Sequence, residues 1–248
     1  QQLDEAKRLG VPVGYEDETT GIRFVLIPGG TFQMGEKNGE GEPDEHPRHA
    51  VTQSPFYLSI NETTNAQYRR FKPHHKGRFS GATHPVDHMS HEKAAAFAAW
   101  LNSRGLRKGY GLPTEAQWEY ACRAGTTTKY WSGDSETDLA RVGWYFGNSS
   151  RQSHPAGQTP PNAWGLYDMP GRMWEPCADA YELDFYARPE ATQSDPANLL
   201  TSAEYRVLRG GSWFNSAERA RSAARLSASP DAGAGSAGFR LASPVTSR

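Results

Sequence analysis

Eight histidines occur in this 248-residue chain, all between His46 and His154. The densest run is His84-Pro85-Val86-Asp87-His88-Met89-Ser90-His91. On one continuous helix His84, His88 and His91 would share a face, the spacing with which imidazoles hold a metal ion. Pro85 and a helix cap at Ser90 would interrupt such a helix, so a turn with packed histidines competes with the metal reading. A second candidate is Glu218, flanked by Arg219 and Arg221 and the only carboxylate between Tyr205 and Pro230. In a concave site it would act as a general base, its proton affinity set by burial and the arginines. On an open surface the same three residues are an ion-pair group of little weight. The two sulfhydryls, Cys122 and Cys177, allow one bridge or two packed thiols.

The elements that must position these groups are short. Gly 25 and Pro 17 accompany 7 Trp, 11 Tyr and 10 Phe, which favours a loop-rich fold pinned by aromatic packing. Lys+Arg 27 balances Asp+Glu 28, which excludes a nucleic-acid or membrane-surface protein built on a basic field. The longest apolar run, Ala94–Leu101, is too short to insert into a membrane. Residues 1–21 read as a polar leader with a short helix at Leu3–Leu9, docked on a domain spanning 22–248. Ile22–Ile27 and Thr31–Gly35 around Pro28-Gly29-Gly30 predict a hairpin, and His49–Ile60 a further strand region. Helices are expected over Thr63–Lys72, from the Ser90 cap through Leu101, and from Pro113-Thr114 through Ala121. Val142–Phe146, Tyr205–Leu208 and Phe239–Ala242 read as short strands, giving one α+β domain.

Several motifs fall in a telling order. They include Pro28-Gly29-Gly30-Thr31-Phe32-Gln33-Met34-Gly35, Asn65-Ala66-Gln67-Tyr68, His84-Pro85-Val86 and Leu112-Pro113-Thr114-Glu115-Ala116-Gln117-Trp118-Glu119-Tyr120. Trp164-Gly165-Leu166-Tyr167-Asp168-Met169, Gly171-Arg172-Met173-Trp174-Glu175, Arg209-Gly210-Gly211-Ser212-Trp213 and Gly238-Phe239-Arg240 follow. The ordered set, over roughly residues 22–242, resembles the formylglycine-generating enzyme or sulfatase-modifying factor family. The resemblance implies a compact α+β domain related to C-type lectins, with little regular structure and bound calcium. The family holds copper oxidases, iron enzymes, a periplasmic protein that matures the siderophore pyoverdine, and non-catalytic binding members, so fold alone does not settle function.

Departures from the family pattern narrow the choice. The enzymes carry a cysteine pair shortly after Arg-Gly-Gly-Ser, suited to soft Cu(I). Here Trp213-Phe214-Asn215-Ser216-Ala217-Glu218-Arg219-Ala220-Arg221 holds no sulfur, which excludes thiol-based formylglycine generation. The resemblance puts the reactive centre at Ser212, Trp213 and the residues after them. Glu218 would be the proton acceptor, Trp213 a stacking surface for a flat substrate, and Arg219 and Arg221 its anion contacts. Arg172 stands where the family has Asn, and faces either substrate or solvent. Carried over, the carbonyls of Pro170, Gly171 and Met173 with the Glu175 carboxylate would bind structural calcium, and Asn148 a second ion. Glu175 capping a turn without metal is the other reading.

The expected function is oxidation of a dihydropyoverdine-like siderophore precursor by an exported, periplasmic, monomeric enzyme. A redox cofactor is not indicated. The N-terminal Gln fits removal of an export signal or a shortened chain. The alternative is a non-catalytic binding protein whose C-terminal segment, Leu226–Gly238, is diversified for ligand recognition. Its small residues offer few anchors of the kind binding surfaces favour.

Overall fold

In the computed structural model, which describes residues 1–37, 39–104 and 107–246, the polar first residues form α1 (Gln2–Leu9). Gly10 stops it in a left-handed conformation, and its N–H returns to carbonyls of the last turn. The helix is tied down by Gln2, whose amide donates to the carbonyls of Leu26 and Trp164. Five strands follow: β1 (Gly14–Glu16), β2 (Arg23–Ile27), β3 (Gly30–Met34), β4 (His49–Gln53) and β5 (Phe56–Ser59). Because β1 pairs with β2, the second half of the leader is a strand of the domain's own sheet.

The hairpin expected around Pro28 does not form. β2 pairs with β5, and β3 pairs with β4. A two-residue hairpin loop needs positive φ at its first central position, which proline's ring forbids. Pro28-Gly29 instead carries the chain from one sheet to another beside the matching crossing at Pro55. A Cβ on Gly29 would lie 3.1 Å from the Pro55 ring and 3.2 Å from the Gln53 carbonyl, so the two crossings touch.

The helices obey their caps. Thr64 and Gln67 form a reciprocal capping box on α2 (Asn65–Tyr68), and Thr114 and Gln117 do so on α4 (Glu115–Arg123). Between them, α3 (His91–Arg104) begins where the Ser90 hydroxyl accepts the Lys93 N–H. The short α5 (Glu136–Ala140), absent from the sequence reading, is capped by Ser135. The second half supplies β6 (Glu175–Ala180), β7 (Arg206–Arg209), β8 (Arg225–Ala228) and β9 (Ala242–Pro244). Residues 142–146 make only a one-residue bridge, Trp144 to Gly171.

Three sheets result, ordered β1-β2-β5-β9, β3-β4 and β6-β7-β8. α3 lays Phe97 and Leu101 on the four-stranded sheet with Phe24, Tyr57, Tyr68 and Phe239. α4 sets Trp118 among Ile27, Leu58, Val207, Cys122 and Cys177. Each such side chain contributes about 1.5–3 kcal/mol by leaving water. This is the α+β architecture expected, with regular structure confined to short pieces that hold long loops in place.

Candidate functional site

Residues 168–175 form a tight path below the Arg-Gly-Gly-Ser turn. Asp168, Gly171 and Arg172 all have positive φ, 61°, 77° and 64°. Gly171 needs its freedom: a Cβ there would meet the Trp144 carbonyl at 2.4 Å. The Arg172 N–H donates to that same carbonyl at 2.7 Å, and the Arg172 carbonyl accepts the Trp213 N–H at 2.9 Å. This backbone stitching aims the Arg172 side chain inward. It is fully buried, faces neither substrate nor solvent as expected, and pairs with Asp168 while its Nε lies 3.8 Å from Glu62 Oε2. Glu62 is also buried, and both of its oxygens lack hydrogen-bond partners, as do Arg172 Nε and Nη1. Burial pushes the Glu62 carboxyl well above the usual carboxylate range, against the pull of Arg172.

The other residues expected at the reactive centre are dispersed. Ser212 is buried and bonded to Asn215, with its hydroxyl accepting the Phe214 N–H. Trp213 is 2% exposed, wedged edge-on between Phe79 and Phe214, so it presents no face for a flat substrate. Glu218 lies on a single 3₁₀ turn, Ala217–Ala220, with 76% of its side chain exposed and no enclosing wall. Arg221 points away from any open site. Its guanidinium grips Glu45 with two bonds of 2.6 and 2.7 Å and touches Glu36 at 3.2 Å. Arg219 is half-exposed, 3.9 Å from Glu42. Ser212, Trp213 and Arg172 are therefore brought together, but Glu218, Arg219 and Arg221 face elsewhere.

What the fold does assemble beside Ser212–Asn215 is a rim of half-buried rings. Trp144 stacks on His154 at 3.7 Å, and Phe79 lies parallel to His84 at 6.3 Å. The Ala156 N–H donates to the Thr83 carbonyl, joining the two segments, and the Ser149 hydroxyl donates to the Trp213 carbonyl. Burial holds the His84 imidazole below its ordinary value, with His154 and Arg172 adding to the effect. The guanidinium of Arg78 sits 5.1 Å from the centre of the Trp213 ring, and that of Arg151 5.2 Å from Phe146. The sequence offered one signal for this rim, the histidine count, but not the pairing of residues 79–84 with 144–154. Two larger surface grooves of about 700 Å³ lie elsewhere, one lined by α1 and Phe32, the other by Tyr15, Arg107 and Tyr110. Neither touches these rings.

His84, His88 and His91 do not share a helix. His88 pairs with Asp87 at 2.9 Å, and α3 starts only at His91. Among the described residues no three His, Cys, Asp or Glu side chains converge as metal ligands. Both cysteines are buried free thiols, unbridged. Burial raises Cys122 to about 11 and Cys177 well above its usual value, so neither supplies a thiolate. At the calcium position, Glu175 Oε2 accepts Trp118 Nε1 and Arg240 Nε, each at 2.6 Å. Its Oε1 is buried without a partner, as an oxygen that faces a hard cation would be. The Gly171 carbonyl already accepts the Met173 N–H, and a Cβ on Gly143 would meet the Pro170 carbonyl at 2.3 Å. Asn148 is consumed by a turn: its oxygen accepts the Tyr145 N–H and its amide donates to Gly143. Of the residues expected to hold calcium, Glu175 thus keeps a free buried oxygen, and the Asn148 oxygen is already hydrogen-bonded.

Comparison with known proteins agrees with this geometry. Serine/threonine-protein kinase pkn1 of Chlamydia caviae is 33% identical over 90% of this chain, which spans 38% of that kinase's length. The formylglycine-generating enzyme of Streptomyces coelicolor is 32% identical, with 88% of each chain covered. Among solved structures, PvdO from Pseudomonas aeruginosa has a TM-score of 0.84 and 27% identity, covering 94% of this chain and 98% of its own. Treponema denticola variable protein 1 has a TM-score of 0.83 at 24% identity, covering 95% of this chain and 100% of its own, a likeness of fold. The sulfatase-modifying factor enzyme 1-like domain matches residues 13–245, and the chain belongs to that family.

Proposed function

We propose that the chain is a thiol-independent oxidoreductase acting on an aromatic siderophore precursor of the dihydropyoverdine type. The precursor gives up two electrons and two protons, and dioxygen takes them and leaves as hydrogen peroxide. The observation that carries this reading is the half-buried rim of Phe79, His84, Trp144 and His154 beside a sulfur-free Ser212–Arg221 segment. Rings of this kind hold a flat ligand, and the His84 imidazole, held below its ordinary value by burial, accepts a phenolic proton. His84 and His154 replace Glu218 as proton acceptors, since Glu218 has no wall around it. The likeness to PvdO supports the same substrate class. Structural calcium at Glu175, and residence in the periplasm as a monomer, belong to the same proposal.

The test is aerobic oxidation of a dihydropyoverdine-like precursor, followed by absorbance. His84→Gln and His154→Gln should each slow turnover about 10²–10⁴-fold, the usual size of general-base catalysis. Full activity in both would remove the rim from the mechanism. No oxidation by the wild type would favour a second reading, a non-catalytic binding module. The likeness of fold to the Treponema variable protein supports that reading. The segment proposed for diversification argues the other way. A Cβ on Gly233 would meet the His88 carbonyl at 2.7 Å, and one on Gly238 the Val86 carbonyl at 3.0 Å. Gly233 and Gly238 are held to glycine by packing on residues 86–88, whereas Ala232 and Ala234 on either side of Gly233 are exposed.

A further inference from the structure

β3 (Gly30–Met34) pairs with β4 on one side only, and the far side of β4 is met by Ser194. In an antiparallel pair, alternate residues turn their N–H and C=O away from the partner strand. Among the described residues, those groups of Gly30–Met34 find no partner outside β4; the first bond beyond the strand is that of the Gly35 N–H to Glu119. Gly30, Thr31, Phe32 and Gln33 all line one groove of about 700 Å³, although Phe32 turns towards Tyr120 while Thr31 and Gln33 are exposed. Successive side chains of a strand point to opposite faces, and only its edge is common to both, so the groove runs along the unpaired backbone groups. Its size is that of a ligand site. The floor is apolar: Phe32 lies 5.1 Å from Tyr120, and Tyr120 4.8 Å from Trp164. The opposite wall is α1, where Asp4 is exposed and Glu5 is held by Arg8. The edge also lacks the usual defences against strand addition. The edge strands β1, β6 and β9 carry Glu16, Pro176 and Pro244, whereas Gly30-Thr31-Phe32-Gln33-Met34 has neither charge nor proline.

We propose that this groove binds an extended peptide segment of a partner protein, added to β3 as a further strand. A second backbone is the ligand that satisfies a row of alternating donors and acceptors in register. An apolar side chain of the peptide rests on Phe32 and Tyr120. A basic one faces Asp4, whose ion partner among the described residues is the amine of Gln1 at 3.3 Å. The groove does not touch the ring rim, so the proposal is independent of the oxidoreductase reading.

The test selects a displayed library of random linear peptides on the whole folded chain and synthesises the winners. They should alternate apolar and polar residues and carry a lysine or arginine. N-methylation of every second amide removes the donors from one edge of a peptide strand. In one register it should abolish binding, and in the other leave it. Bound peptide should slow hydrogen exchange at alternate amides of Gly30–Met34. Thr127→Trp fills the groove from an exposed position outside the strand and the core. It should weaken the peptide about tenfold or more, some 1.4 kcal/mol, with Tm unchanged. No enriched peptide, equal binding by both N-methylated registers, protection outside β3, or full affinity in Thr127→Trp overturns the proposal. So does a chain that is dimeric alone and turns monomeric as peptide is added, which would make a second copy the occupant.

Discussion

Arg225 and Arg172 are both buried arginines facing carboxylates, yet they are used differently. Arg225 spends its whole fork. Nε and Nη2 bond the two oxygens of Glu115 at 2.7 and 3.0 Å, and Nη1 bonds the Asp44 carbonyl at 2.7 Å. The rings of Tyr181 and Tyr186 lie 5.0 and 4.4 Å from its guanidinium carbon. Arg221 is seated in the same way on Glu45 and Glu36. Arg172 leaves two nitrogens idle beside a carboxylate that has no hydrogen bond. Fixed bidentate geometry marks a brace, for which only arginine will do. Charge without geometry, as at Arg172, leaves buried donors and a buried carboxylate unsatisfied. Burial and net charge do not distinguish the two cases; the count of satisfied donors does.

The comparison is broken most directly at Arg225. Arg225→Met should cost about 3–5 kcal/mol, because buried Glu115 loses its bidentate partner and keeps only the Tyr186 hydroxyl and Arg209 at 3.6 Å. Denaturant unfolding would measure it. A loss below about 1 kcal/mol would show that the bidentate geometry carries no more weight than a surface pair. A smaller effect concerns His91, which sits at the start of α3 and whose imidazole burial, with Arg206 nearby, lowers to about 4. A histidine held below its unfolded value of about 6.5 contributes stability that is present above that pH. The contribution is lost as pH falls from about 6.5 towards 4, some 2 kcal/mol after allowing for solvent screening. His91→Gln should flatten that arm of the stability curve; an unchanged pH profile would show that the imidazole is solvated. The smallest effect is expected at Glu218. Glu218→Gln leaves Arg221 on Glu45 and Glu36, so unfolding free energy should stay within about 0.5 kcal/mol of wild type. A larger loss would make Glu218 a third partner in the Arg221 brace.

The sequence reveals what is local. The α4 start follows from Thr114 and Gln117 three positions apart, and the family motifs locate the turn at Gly171. The hairpin error arises because strand pairing is a long-range choice; only proline's fixed φ at Pro28 argued against a local partner. Arg172 was misplaced for a related reason. A charged residue is exposed by default, and its burial depends on Glu62 and Asp168, 110 and 4 positions away, folding around it. Trp213 is of a type that suits a substrate platform, but Phe79, more than a hundred residues upstream, packs perpendicular to it and helps to bury it. The ring rim stayed hidden because stacking of Trp144 on His154 and of Phe79 on His84 leaves no periodic trace.

The two thiols described above have a consequence for handling the molecule. Cys122 and Cys177 share one hydrophobic cluster, are inaccessible, and are held in the protonated form by burial. Oxidants and alkylating reagents act on exposed thiolate. Once folded, the chain's thiols should therefore be indifferent to the redox state of their surroundings. The same seclusion makes each cysteine a clock. A thiol reagent in excess labels only chains whose Trp118 core has opened, so labelling rate reports the opening of that cluster under native conditions without denaturant.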